Sequence, residues 1–165
     1  MKTTQALEHR AKDPISKLLI DYLDVPMIFF DAAWPANGKS VDILAIDRAG
    51  AGDVHVIQVV KNLQDGIKRL PRLLKVPGQF RWIAYPFETE DPEADLAEYD
   101  RLDNAPLFAS NDMGRVGVIQ VRPSENQHGE FLHGLIAVRA ERFRGSYHEQ
   151  VRRFLEKNRP DIEFK

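Results

Sequence analysis

The chain has 165 residues, of which 43% are hydrophobic and 29% are charged, and it contains no cysteine. This length suits one domain with its own core, so we expect a single domain over residues 1–165. The lack of cysteine excludes disulfides, thiolate zinc sites and cysteine nucleophiles. The net charge of −2 excludes a basic field over the whole molecule, so a nucleic-acid partner would need a local basic patch.

The first elements are predicted from apolar spacing and from proline and glycine. Asp13 and Pro14 predict the N-cap and first residue of a helix over 14–23, and residues 4–12 are compatible with one or two further turns. A strand over 25–31 and a turn within 33–39 follow. The N-terminus lacks the apolar region of a signal peptide, and no apolar run approaches the ~20 residues that cross a bilayer. We therefore expect a cytoplasmic protein with no membrane segment.

The clearest local signal is a β-hairpin. Val41–Asp47 and Val54–Val60 are both rich in β-branched residues, and the glycine-containing segment RAGAGD joins them. Beyond the hairpin, residues 62–75 have helical apolar spacing, and Pro71 is predicted to kink or split that helix. Later predictions are strands over 80–85, 114–122 and 131–138, a helix over 92–101, and a final helix capped by Ser146. This mixed order, with its hairpins, favours an α/β (α+β) fold: a mixed sheet flanked by helices, not a doubly wound parallel sheet.

The hairpin places polar residues at its open end. A turn centred near Ala51 puts Asp42 across from either Val60 or Lys61. In the second register Asp42 shares a face with Lys61; in the first it shares a face with Gln58 and Val60. A bulge near Gln58 would bring all three polar groups together. Without further ligands, Asp42 and Lys61 would form a cross-strand ion pair.

This arrangement resembles the PD-(D/E)XK (restriction-endonuclease-like) nuclease superfamily. Its members have a helix, a strand bearing a metal-binding Asp, a strand ending in (D/E)xK, and a further helix. The matching run here is the helix 14–23, Asp42 in SVDILAID, VIQVVK ending at Lys61, and the helix that follows. The resemblance covers about residues 5–90, and it implies a restriction-endonuclease-like core, Mg²⁺ and DNA hydrolysis. It assigns the metal-binding role to Asp42 and the catalytic lysine to Lys61.

One position departs from the family pattern. Val59 stands where the family has an acidic residue, and valine offers no oxygen to Mg²⁺, which prefers hard oxygen ligands. Gln58 would replace that residue in the catalytic set, as glutamine does in some relatives. Glu8, on the first helix, would supply a further metal ligand, as first-helix acids do in some members.

The segment after Lys61 is basic. Between Lys61 and Arg81 there are six basic residues and one acidic residue, Asp65. A basic stripe on one helix is a footprint for DNA phosphates. The expected contacts are Lys68, Arg69, Arg72 and Lys75.

Three hypotheses remain at this level. The first is an active Mg²⁺-dependent nuclease, and the second is a catalytically impaired relative that binds DNA or a protein. The third is an interaction domain in which the ion pair is incidental. A protein partner, including a second copy in a homodimer, therefore stays open beside DNA.

Overall fold

The computed structural model describes residues 4–35, 40–47, 52–87, 92–104, 114–123 and 132–163. The turns predicted at Asn37-Gly38 and Gly50-Ala51 and the loop after Pro123 lie outside these residues. Among the described helices, none is both long and apolar enough to cross a membrane.

The described residues form four helices and seven strands. The helices are α1 (Thr4–Leu23), α2 (Leu63–Leu73), α3 (Pro92–Asn104) and α4 (His148–Lys157). The strands are β1 (Met27–Ala33), β2 (Ser40–Ile46), β3 (Val54–Val59), β4 (Phe80–Pro86), β5 (Gly117–Pro123), β6 (Leu132–Val138) and β7 (Ile162–Glu163).

The strands form one mixed sheet in the order β6-β5-β4-β3-β2-β1-β7. The pairs β3–β4 and β4–β5 are parallel, and the other neighbouring pairs are antiparallel. The α/β class with a mixed, helix-flanked sheet is therefore confirmed. Strand β3 joins the antiparallel half to the parallel half.

Each face of the sheet carries its own apolar layer, because strand side chains alternate between faces. On one face, Ile15, Leu18 and Leu19 of α1 pack over Ile43 and Ile57. On the other face, the apolar sides of α2 and α4, together with Leu102 of α3, cover the sheet. The β2–β3 hairpin therefore lies between two apolar layers, one beneath α1 and the other beneath α2 and α4.

Three local predictions were wrong. Helix α1 begins at Thr4 and continues through Pro14, so Asp13 does not cap it. Helix α4 has Tyr147 as its N-cap, with no side-chain cap hydrogen bond, so Ser146 does not cap it. Strand β5 begins at Gly117, three residues after the predicted start, because Arg115 forms only an isolated bridge with Glu141.

Helix α2 follows its predicted pattern closely. Asn62 caps it by accepting a hydrogen bond from the Asp65 amide (2.8 Å). Gly66 lies so close to the sheet that a Cβ would stand 2.7 Å from Ile83 Cδ1. Pro71 does not split the helix, because it lies in the last turn and the helix ends two residues later. Helix α2 therefore begins four residues after the end of β3 and packs directly against the sheet through Gly66.

One histidine is buried in the layer beneath α1. His55 is 6% exposed, its ring stacks on Phe80 (4.5 Å between centroids), and its Nδ1 accepts a hydrogen bond from Trp82 Nε1 (3.2 Å). Burial lowers the pKa of His55 to about 4, with Asp53 acting in the opposite direction. The folded protein therefore holds a neutral imidazole at pH values where the unfolded chain protonates it.

This burial predicts an acid-dependent loss of stability. As pH falls from 6.5 to about 4, the unfolded chain binds a proton at His55 that the folded chain excludes. The free energy of unfolding should therefore fall by roughly 3 kcal/mol across this window. Urea denaturation at a series of pH values measures the loss, and His55→Gln should remove it. His133→Gln, at an exposed histidine, is the control and should retain the parent slope. An unchanged slope in His55→Gln would contradict the assignment.

Candidate functional site

Asp42 lies at the open end of the β2–β3 hairpin. The ladder pairs Ile43 with Ile57, which places Asp42 beside Gln58. The Gln58 side-chain amide donates to Asp42 Oδ2 at 2.7 Å, and the Val59 backbone amide donates to the same oxygen at 2.7 Å. The carboxylate therefore accepts a backbone N–H at the point where the two strands stop pairing.

The predicted register was wrong by at least two residues. Asp42 stands across from Gln58, not from Val60 or Lys61. The pairing that flanks the turn carries this difference: the Asp47 amide donates to the Asp53 carbonyl at 3.0 Å, which centres the hairpin near residue 50 and not near Ala51. A bulge near Gln58 was the condition for bringing all three polar groups together; residues 43–46 pair regularly with 57–54, and the described ladder ends there, before Gln58. The shared face of Asp42 and Gln58, one of the two alternatives, is confirmed.

Two further charged residues flank Asp42. The β1–β2 register places Asp31 across from Asp42, and Asp31 has a left-handed backbone with a φ of 49°. Lys12 of α1 is 8% exposed and donates to Asp31 Oδ2 at 2.7 Å. A short polar row, Lys12–Asp31–Asp42–Gln58, therefore crosses this end of the antiparallel half.

The pKa of Asp42 is raised above its usual value, chiefly because burial disfavours the anion. The Val59 hydrogen bond and the charges of Lys12 and Arg69 act in the opposite direction, while the charge of Asp31 adds to the rise. The carboxylate is thus held by hydrogen bonds in a half-buried place that does not otherwise favour its charge.

Lys61 does not join this row. It lies exposed between the end of β3 and the Asn62 cap. Within the described ranges, the charges that act on Asp42 belong to Lys12, Asp31 and Arg69, and no ion pair links Asp42 to Lys61. The predicted cross-strand ion pair was therefore wrong. Val59 is 1% exposed and lies in the apolar layer beneath α1, so its own side chain brings no oxygen to this end of the hairpin.

Among the described residues, the side-chain oxygens available as metal ligands at this end of the hairpin belong to Asp42, Asp31 and Gln58. Asp42 Oδ2 already accepts two N–H groups, and Asp31 is bound to Lys12. Glu8 belongs to α1, one turn before Lys12, and its side chain lies outside the described residues. No group of three His, Cys, Asp or Glu residues that could hold a metal occurs in the described part of the chain. Magnesium binding stays a prediction from the family resemblance.

Helix α2 presents its basic residues to solvent. Its buried side is formed by Leu63, Gly66, Leu70 and Leu73. Lys68, Arg69, Arg72 and Lys75 are exposed on the opposite side or at the end of the helix. Arg69 pairs with Asp65 at 3.4 Å, whereas Lys68, Arg72 and Lys75 have no ion pair among the residues the structure describes. The structure therefore brings the predicted nucleic-acid contacts together on one surface.

Sequence reasoning missed Lys12 and Asp31. Lys12 lies three residues before Ile15 and seven before Leu19, so its helical position points toward the sheet, a signal that predicts burial. Asp31 ends an apolar run, and its left-handed backbone has no sequence signal comparable to an Asn-Gly pair.

Comparison with known proteins shows the fold alone. A solved structure described as SPO1766 protein of unknown function from Silicibacter pomeroyi superposes with a TM-score of 0.55 at 13% sequence identity. The match covers 92% of this chain and 82% of that chain. No family model and no curated protein matches the sequence.

The hydrogen bonds of Asp42 predict a clear order among its variants. Asp42→Ala leaves the Val59 amide and the Gln58 amide without their acceptor, so it should lower the free energy of unfolding by about 1–3 kcal/mol. Asp42→Asn retains one carbonyl oxygen and carries no charge to bury, so it should remain within about 1 kcal/mol of the parent at pH 7. Urea denaturation of the three proteins provides the measurement. Equal losses in both variants would contradict the acceptor role.

Proposed function

We propose that this chain is a nuclease-like domain that binds DNA through the outer face of α2 and Lys61, and that it does not cleave DNA. The observation that carries the proposal is the set of exposed cations, Lys61, Lys68, Arg72 and Lys75, on and beside a single helix. The net charge of −2 makes this local concentration more distinctive than it would be on a basic protein.

The spacing of these cations suits a phosphate backbone. Lys68, Arg72 and Lys75 follow one another by four and three residues, so they form a row about 10 Å long on the helix surface. Lys61 stands just before the helix, next to the Asn62 cap. A row of positive side chains on a rigid element neutralises successive phosphates and releases their counterions, which provides affinity without sequence reading.

The absence of cleavage is inferred from the chemistry of the hairpin end. Phosphodiester hydrolysis with Mg²⁺ requires carboxylates that hold the ion and lower the pKa of a bound water. Here Val59 is buried and apolar, and Asp42 uses one oxygen to accept two N–H groups. The raised pKa of Asp42 also shows that burial opposes its negative charge. These features favour a scaffold role for Asp42 over a metal-binding role.

Salt dependence tests the binding surface. With about four phosphates neutralised, the affinity for a mixed-sequence DNA duplex should fall roughly 10²-fold between about 50 and 200 mM salt. The double variant Lys68→Glu/Arg72→Glu should bind more weakly at every salt concentration and lower the slope of log K against log salt by about 2. Fluorescence anisotropy with a labelled duplex measures both quantities.

The matched control is Lys157→Glu/Arg159→Glu, which makes the same charge change at exposed residues at the end of α4. It should retain the parent slope. If the parent protein does not bind the duplex at low salt, or if the two double variants lose affinity equally, α2 is not a DNA-binding surface.

Cleavage is tested separately with plasmid and single-stranded DNA in Mg²⁺ or Mn²⁺. The expected result is that both substrates remain intact. Metal-dependent cleavage that disappears in Asp42→Ala and in Lys61→Ala would overturn the non-catalytic part of the proposal and restore the roles that the family resemblance assigns. Cleavage that persists in both variants would indicate a contaminant or a different site, and it would remove Asp42 and Lys61 from any catalytic set.

A further inference from the structure

A cavity of about 280 Å³ lies at the turn end of the hairpin, far from Asp42 along the strands. It opens between the end of α1, marked by Tyr22 and Leu23, and the sheet face that carries His55, Phe80 and Trp82. This face is the one beneath α1, whereas α2 covers the opposite face. The cavity is therefore separate from the proposed DNA surface.

His55 presents one ring nitrogen to this cavity. Its Nδ1 accepts from Trp82 Nε1, so the neutral ring carries its proton on Nε2. Among the described residues, every fully buried side-chain nitrogen or oxygen has a hydrogen-bond partner. His55 Nε2 has no such partner, so this nitrogen is not fully buried. Nε2–H is therefore exposed to the cavity that His55 lines, although the residue as a whole is only 6% exposed.

The cavity walls combine flat rings with charges that balance. Phe80 stacks on His55 at 4.5 Å, and Trp82 lies nearly parallel to His55 with its centroid 6.4 Å away. Tyr22, at the rim, is 77% exposed. Asp47, Asp53 and Arg139 also line the cavity, and Asp53 pairs with Arg142 at 3.0 Å. Among the described residues, these two carboxylates are balanced by Arg139 on the cavity wall and by Arg142, which pairs with Asp53 from outside the lining, so the rim favours an uncharged ligand.

We propose that this cavity binds a small uncharged nitrogen heterocycle with the chemistry of a nucleobase or nucleoside. A ring nitrogen or carbonyl of such a ligand accepts the hydrogen bond from His55 Nε2–H. An exocyclic amino group donates to a rim carboxylate, and the ring face packs against Tyr22 and Phe80, the lining aromatic side chains with accessible surface. The volume lies just below the usual range of ligand cavities, so it suits a heterocycle of one or two rings and not a drug-sized molecule.

The same chemistry could come from a free nucleoside or from a base of single-stranded DNA. The balanced rim has no excess of cations to follow a phosphate backbone, which favours the free molecule. A titration with adenosine, cytidine, guanosine, uridine and a short single-stranded oligonucleotide distinguishes the two sources. Benzyl alcohol serves as an aromatic probe that lacks the heterocycle's ring acceptor and amino donor.

Two-dimensional amide NMR on the full chain provides the readout. At least one nucleoside should bind saturably with a Kd of about 1 mM or tighter. It should shift the amides of residues 54–56 and 80–83, and it should leave the Trp34 indole, on the opposite face, unmoved. Benzyl alcohol should bind at least tenfold more weakly.

The test uses variants at the rim of the cavity, because replacing the buried His55 would also change the stability of the protein. Tyr22→Ala and Arg139→Ala should each weaken binding severalfold, because they remove a ring face and a rim donor. His148→Gln, at an exposed histidine on α4, should leave it unchanged, as should Lys68→Glu/Arg72→Glu on α2. This second control separates the cavity from the DNA surface, so either assignment can fail alone.

Several results would overturn the inference. These are no saturable shift with any nucleoside at about 10 mM, shifts centred away from the cavity, or parent-like binding in both rim variants. Equal binding of benzyl alcohol would reject the heterocycle as the ligand class. Tighter binding of the oligonucleotide than of any nucleoside would reject the free small molecule.

Discussion

The hydrogen bond from the Val59 amide to the Asp42 carboxylate sets where the central strand of this protein ends on its antiparallel side. Strand β3 is paired on both edges, with β2 antiparallel and β4 parallel. On the β4 side the pairing continues, since the Val60 amide donates to the Ala84 carbonyl at 2.8 Å. On the β2 side a side chain replaces the backbone acceptor. The chain then leaves the sheet through Lys61 and enters α2 at Asn62.

The position of this bond determines what α2 can present. Because the helix starts at Leu63, four residues after Val59, Leu63 is its first buried residue and Gly66 contacts the sheet one turn later. The basic residues must then point to solvent. The same bond uses one of the two oxygens of the carboxylate, and burial raises the pKa of Asp42. A folding role for Asp42 and a DNA-binding role for α2 are therefore consistent with each other.

Local patterns predicted most of the fold. Both strands of the hairpin, the helix after Lys61 and the shared face of Asp42 and Gln58 follow from alternation and helical spacing, which act over a few residues. The register did not follow, because it depends on whether Asp47 and Asp53 pair, and a glycine-rich turn allows several lengths. The Lys12–Asp31 contact depends on how α1 packs over the sheet, so no local pattern contains it. Strand β7 has two residues and forms only where β1 offers an edge, so it has no periodicity to detect.

The most direct test of the central claim is hydrogen exchange at the single Val59 amide, followed by NMR in the parent, Asp42→Asn and Asp42→Ala proteins. Exchange should be slow in the parent and in Asp42→Asn, because an oxygen acceptor remains. In Asp42→Ala it should accelerate at Val59 while the amide of Val60, bonded to Ala84, stays protected. Fast exchange at Val59 in the parent, or protection that survives in Asp42→Ala, would contradict the claim that Asp42 terminates the ladder.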